Sequence, residues 1–347
     1  MLKSIVMSLL ILAPVGRQAF AETFFVDPLK GNENSKGTLM EPLATLAKAV
    51  GAANELTGDG PITIKLSPGV YVLTDRISIS PARATKDTAR FTIEALVMPD
   101  DKDWSPDKMP VIQSVSANNS TDQFPHAVGI LVAANSVTIR GLKFLGNPNP
   151  SVKYYYPITK ENEALRGMEV SQCYFISEKH STPIQGGIWA HGPDTDINHC
   201  VFYGCRNAIL LFKSVSGFSI THTVMYGANE SAIWMGPIDS GFVFKNNVVA
   251  KSHCFWVRPE NTKPAYALSD CLITETDIYM GYYAQGGVVA VPGETNSRIK
   301  ETNIARAGTV KLVEKGGGVL PAEFLNLTLE SAGYGLGAGI FRTKSVR

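Results

Sequence analysis

The sequence predicts an all-β fold, a single-stranded parallel β-helix, on three observations. First, residues 187–273 repeat a two-part phrase. A small residue, an apolar residue and usually tryptophan open it: Gly187-Ile188-Trp189, Ala208-Ile209-Leu210, Ala232-Ile233-Trp234 and Cys254-Phe255-Trp256. An apolar-x-x-(Cys/Thr/Asn)-x-apolar phrase follows, as Ile197…Cys200…Phe202, Ile220…Thr223…Met225, Phe244…Asn247…Val249 and Leu268…Cys271…Ile273. Its small positions lie 23, 24 and 24 residues apart, and it recurs upstream at Ile139…Leu142…Phe144 and Val170…Cys173…Phe175. A fixed period of this length marks a solenoid, in which each repeat buries its apolar face only against its neighbours. Second, both phrases are short and rich in β-branched and aromatic residues, so each repeat holds two strands. Third, no segment after residue 60 has a long 3.6-residue periodicity, and the Leu-x-x-Leu-x-Leu frame of leucine-rich repeats is absent.

Met1 to Ala21 has an early cation (Lys3), an apolar run from Ile5 to Val15 and then Ala19-Phe20-Ala21. This is the pattern of a signal peptide cleaved after Ala21, too short to span a bilayer, and it predicts a secreted or periplasmic protein. The remainder, 22–347, reads as one β-helix domain: an N-terminal cap at 22–60, coils over about 61–305 and a C-terminal end at 306–347. In the cap, Phe24-Phe25-Val26 is a short strand, and Pro42 opens a helix running to about residue 54. Its apolar face holds Leu43, Leu46, Ala47 and Val50, suited to covering an open solenoid end.

Val26-Asp27-Pro28, Gly31, Gly37-Thr38, Pro42, Thr45 and Ala49 resemble the N-terminal signature of exported right-handed parallel β-helix proteins of the pectate-lyase-like superfamily. Ile62 to Tyr71 looks like that superfamily's first full turn, and Gly335-Leu-Gly-Ala-Gly-Ile340 its usual ending. The resemblance implies a right-handed parallel β-helix. It leaves the reaction open, because the superfamily holds lyases, glycoside hydrolases, uronate epimerases and non-catalytic binders.

Further along, Phe91–Ala95 and Pro110–Ile112 read as strands around a charged excursion at 99–108. A second excursion, 146–165, carries Tyr154-Tyr155-Tyr156 and is expected to wall a binding face or to cover the barrel. The five cysteines follow the repeat frame. Cys173, Cys200 and Cys271 share the position of Thr223 and Asn247, and Cys254 joins the small column of Gly187, Ala208 and Ala232. Buried free thiols suit these positions. Cys173 and Cys200 stand on adjacent turns, and spacing alone leaves a bridge between them open.

Strand alternation supplies the candidate site. If Ile188, Ile209, Ile233, Phe255 and Ile278 point inward, then Trp189, Leu210, Trp234, Trp256 and Tyr279 form an outward stripe suited to the apolar faces of sugar rings. Two residues on, the outward column reads His191, Phe212, Gly236, Arg258 and Gly281, with Lys213 following Phe212 and with Asp194 and Asp239 at one turn position. Trp189, Trp234, Trp256, Tyr279, Asp194 and Asp239 are therefore the candidate substrate-binding residues.

Eliminative cleavage of a polyuronate needs the carboxylate neutralised, a base at the adjacent carbon and an acid for the leaving oxygen. Lys213 and Arg258 are candidates for the first role and His191 or Lys213 for the second, so these three are the candidate catalytic residues. Calcium often shares the neutralising role in related lyases; the acidic residues near the stripe form no recognisable calcium pattern, and the cofactor stays open. A hydrolase needs two opposed carboxylates, and Asp194 with Asp239, roughly 10 Å apart, is slightly wide. The expected function is cleavage of an acidic polysaccharide by β-elimination; the alternatives are a non-catalytic polysaccharide binder or surface β-helix, a hydrolase or an epimerase. Near-zero net charge, with 32 basic and 31 acidic residues, argues against nucleic acid. The expected partner is a poly- or oligosaccharide, and the protein is expected to be a monomer without a membrane span. His199 and His222 are expected to stack at a turn, whereas His126, His180 and His253 have no identifiable partner.

Overall fold

The computed structural model describes residues 21–177, 183–236, 242–260, 266–284, 286–291, 299–314 and 319–343. Residues 1–20, which carry the expected signal-peptide pattern, and His180 and Asp239 lie outside them. The chain winds into a parallel β-helix whose turns carry three strands rather than the expected two. The first ladder stacks Glu22–Val26, Ile62–Leu66 and Phe91–Ala95, and continues upward to Ile299–Ala305. The second begins with Val70–Leu73, Val111–Ser114 and Lys143–Leu145. The third runs from Ile77–Ile79 through Ala127–Val132, Tyr155–Lys160, Ile188–Ala190, Asn207–Leu211, Ser231–Met235 and Cys254–Arg258 to Ile278–Ala284. One antiparallel strand, Gly287–Ala290, follows it.

The extra strand comes from a bend inside the apolar-x-x-small-x-apolar phrase. On successive turns Gln172, His199, His222, Asn246 and Asp270 adopt φ between 49° and 56°, a left-handed conformation that swings the chain from the first ladder into the second. The next residue, the Cys/Thr/Asn position, then turns into the core. There Asn247 Oδ1 accepts from the Thr223 N–H at 2.9 Å, and its Nδ2 donates to the Ile220 carbonyl at 2.8 Å. His199 and His222 stack, with ring centroids 4.7 Å apart and planes 7° off parallel. Inside, Phe144, Phe175 and Phe202 stack at 5.0 and 4.6 Å, each one turn above the last. All five cysteines are free and buried, and burial pushes the thiols of Cys200, Cys205, Cys254 and Cys271 up.

The first helix, α1, spans Leu46–Asn54, starting later than Pro42 because Thr45 caps it by accepting from the Lys48 N–H at 3.2 Å. It packs against the strands Glu22–Val26, Ile62–Leu66 and Ile77–Ile79. The C-terminal segment lies on the outer face of the second ladder, where Leu325, Leu327 and Ile340 bury Val201, Val224 and Val248. Trp104, from the charged excursion, meets Phe341 there at 5.4 Å. Among the described residues no helix is long and apolar enough to cross a membrane.

Two expectations are corrected by register. Tyr155 and Tyr156 are not loop residues; they begin a third-ladder strand, pairing with Ala127 and Val128. In the last turns, Cys254 pairs with Ser231 rather than with Ala232, so Trp256 takes the inward place of Ile233. A one-residue slip in a strand exchanges its faces. Trp256 is fully buried in the central core, against Phe242 at 5.2 Å.

Candidate functional site

The outer face of the third ladder carries a cavity of about 370 Å³. Its floor is the column predicted from alternation: Trp189 pairs with Leu210 and Leu210 with Trp234. Gly186 makes room for it, since a Cβ there would lie 1.9 Å from Leu210 Cδ1 and 3.3 Å from the Tyr156 ring. One wall comes from the segment before the Ala127–Val132 strand, where a Ser120–His126 bridge closes a loop that delivers Gln123 and Phe124. Phe124 stacks on Trp189 with centroids 6.0 Å apart and planes 16° off parallel, while Tyr156 meets Trp189 at 4.7 Å. At the other end Tyr283 lies 4.9 Å from Trp234. Trp189 is buried beneath these rings, and its indole N–H has no hydrogen-bond partner. Trp234 stays half-buried.

The polar rim was not anticipated. Arg206 donates Nε and Nη2 to the two carboxylate oxygens of Glu230, both at 3.1 Å, and Asn207 Nδ2 adds a bond to Glu230 at 2.7 Å. The carboxylate holds the Arg206 guanidinium above its usual range. Carrying the strand registers back by one residue aligns Arg206, Glu230, His253 and Asp277 on consecutive turns. His253 Nδ1 lies 3.0 Å from Asp277. Their spacings of 24, 23 and 24 residues were the available signal, at a turn position rather than within a strand.

Of the residues proposed for catalysis, His191 and Lys213 lie together and Arg258 lies apart. His191 packs against Trp189 and Phe212, two of the cavity's rings, at 5.5 and 6.3 Å. Its Nδ1 is 2.9 Å from the Phe212 carbonyl, so the proton sits on Nδ1 and the Nε2 lone pair faces Gln123 Nε2 at 3.4 Å. Burial lowers its pKa, with the Lys213 charge adding to this and those of Asp122 and Glu163 opposing it. Lys213 is exposed, with φ 46°. Asp194 is exposed at the same corner, 3.8 Å from Arg166. The slip that buries Trp256 also moves Arg258, which becomes level with the inward Met235 and donates to the Pro259 and Glu260 carbonyls at 2.9 and 2.8 Å. Tyr279 falls level with Phe255, bonds Glu301 at 2.6 Å and lies under the Arg306 guanidinium; Tyr283 stands beside Trp234 instead.

Two buried groups support this region. Lys160 donates to the Leu165 and Pro193 carbonyls at 3.0 and 2.9 Å, and burial brings its pKa down to about 8 against the opposing charge of Asp194. His126, under Trp189, has Nε2 3.4 Å from Glu161, which also accepts from Ser120 Oγ at 3.3 Å. Among the described residues, no three His, Cys, Asp or Glu side chains group closely enough to hold a metal ion.

No family model and no curated protein matches the chain in sequence. Solved structures resemble it at low identity. A GH136 lacto-N-biosidase from Eubacterium ramulus is 11% identical, with TM-score 0.47, over 82% of this chain and 68% of that one. A rhamnogalacturonan lyase is 13% identical, with TM-score 0.39, over 92% and 99%. A pectin methylesterase from Aspergillus niger is 11% identical, with TM-score 0.37, over 95% and 98%.

Proposed function

We propose that the protein is an exported, single-domain, monomeric β-helix that binds a polysaccharide on the outer face of its third ladder, with a sugar residue seated in the aromatic cavity. One observation carries this: a solvent-side cavity walled by Trp189, Trp234, Phe124, Tyr154, Tyr156 and Tyr283, whose charged lining groups form one fixed pair. Aromatic faces match the C–H faces of pyranose rings, and a few placed polar groups orient the hydroxyls. Export rests on the amino-terminal pattern of Lys3, the Ile5–Val15 apolar run and Ala19-Phe20-Ala21. We read α1 as the cover of the solenoid's first turn, since it packs against the Glu22–Val26 strand.

The test is titration calorimetry with a panel of soluble oligosaccharides, comparing the wild type with Trp234→Ala. The half-buried Trp234 ring contributes little to the core, so the variant should keep its melting temperature and lose about tenfold or more in affinity. Equal affinity in the two proteins would refute the cavity as the binding site.

A second reading, eliminative cleavage of a uronate at the cavity edge, is favoured by His191: its neutral imidazole with a defined Nε2 lone pair suits a base, and Lys213 supplies a nearby cation. Incubation with pectate, alginate and glycosaminoglycans tests it through the ultraviolet absorbance of unsaturated uronate. That absorbance should disappear in His191→Ala.

A further inference from the structure

The turn entering the third ladder carries the Arg206–Glu230 pair, and that pair lines two cavities at once. On one side is the aromatic cavity of about 370 Å³. On the other is a cavity of about 420 Å³, lined also by Pro183, Asn229, His253, Gly287 and Val288. The two therefore adjoin, with the ion pair as their common boundary.

The charge on these linings is balanced. Among the described residues, the full charges on both are Arg206 and Glu230, one of each sign; His253, at the edge of the second cavity, is paired with Asp277. Arg206 meets Glu230 in a two-point fork, which commits the guanidinium face that would otherwise grip a carboxylate. Further out, Lys153 lies 5.1 Å from the Tyr154 ring centroid, and at His191 the effect of the Lys213 charge is opposed by those of Asp122 and Glu163. A uronate entering either cavity would bring its carboxylate beside Glu230, and among the described lining residues the cation it would meet is Arg206, already paired with that glutamate. A hydroxyl can both donate to Glu230 and accept from Arg206, so it is complementary to the pair in a way that a carboxylate, which only accepts, is not.

We infer that the two cavities are adjoining subsites for an uncharged glycan, with the Arg206–Glu230 pair as a shared clamp on its hydroxyl groups. This rests on the saccharide-binding reading and narrows it to a substrate class. It excludes the acidic polymer that the eliminative reading requires.

The experiment titrates the full chain with neutral oligosaccharides (gluco-, xylo-, galacto- and N-acetylhexosamine-containing) and with uronate oligosaccharides of equal length. A neutral glycan should bind about tenfold or more tighter than any uronate, and added salt should leave its affinity unchanged. Glu230→Gln should weaken the neutral ligand and raise uronate affinity by freeing Arg206, with melting temperature as the folding control. The wild-type comparison stands even if that variant misfolds. Tighter binding of a uronate would overturn the neutral-glycan assignment and leave the saccharide reading intact. Binding of neither class would overturn both.

Discussion

Asn247→Leu should cost the protein about 2–4 kcal/mol. The side chain is fully buried and bridges two turns: Oδ1 takes the Thr223 N–H at 2.9 Å, and Nδ2 serves the Ile220 carbonyl at 2.8 Å. Leucine is of similar size and offers neither bond. The Thr223 N–H would be left buried without an acceptor, a penalty of about 1–3 kcal/mol. The Ile220 carbonyl, with two lone pairs, suffers less. Greater apolar burial offsets part of the loss. Asn247→Thr is the matched control. Threonine already occupies this position one turn earlier, where Thr223 Oγ1 donates to the Thr221 carbonyl at 3.0 Å and accepts from the Cys200 N–H at 3.4 Å. It should therefore cost clearly less. Urea denaturation followed by circular dichroism measures both variants, with the slope checked so that the midpoints report stability. An unchanged midpoint for Asn247→Leu would refute the argument that stacked side-chain amides hold this bend.

Two further outcomes test the phase of the core and its buried charge. Trp256→Ala should lower stability by about 3–5 kcal/mol, whereas Trp234→Ala should cost much less, and equal losses in denaturation would contradict the observed register. Lys160 has a pKa lowered from 10.5 to about 8; between these values the unfolded chain holds the proton that the folded one has released. Wild-type stability should thus rise with pH from about 8 to 10.5, by an order of about 3 kcal/mol. Lys160→Met should lose that pH-dependent rise, whatever it costs in unpaired Leu165 and Pro193 carbonyls, and an identical pH profile would show that Lys160 titrates normally.

The solenoid was legible because each turn repeats the same burial problem, so Ile197, Ile220, Phe244 and Leu268 recur on schedule. The third strand of each turn was not. The bend that creates it rests on single left-handed residues such as Gln172, His199 and Asp270, none of them the glycine that usually announces such a conformation. Alternation found the column Trp189–Leu210–Trp234 because the registers of those strands hold. It failed at Cys254-Phe255-Trp256, where the letters mimic Ala232-Ile233-Trp234 one position out of phase. The connection from the second ladder is four residues long at 227–230 and three at 251–253, which resets the count. Arg258 and Tyr279 were lost with it. Phe124 and Gln123 come from an irregular segment that no repeat frame reaches.

The rim pair also follows from the architecture. In a parallel β-helix the same turn position recurs one strand spacing away, roughly 4.8 Å. Two like charges at that distance repel by roughly 3 kcal/mol at an effective dielectric constant near 20, less where water screens them. A charged column can therefore persist only if its signs alternate or its members are neutral, and Arg206, Glu230, His253 and Asp277 follow that rule. A face built this way is polar and close to net neutral along its length. It can order hydroxyl groups on successive sugar residues but cannot concentrate positive charge on a run of carboxylates. A polyanion-binding face on such a solenoid would need its cations staggered off the column, at alternate turns or on loops. Here the cation and the anion that rim the cavity sit on adjacent turns of one column, and the pairing that keeps the column stable also favours an uncharged ligand.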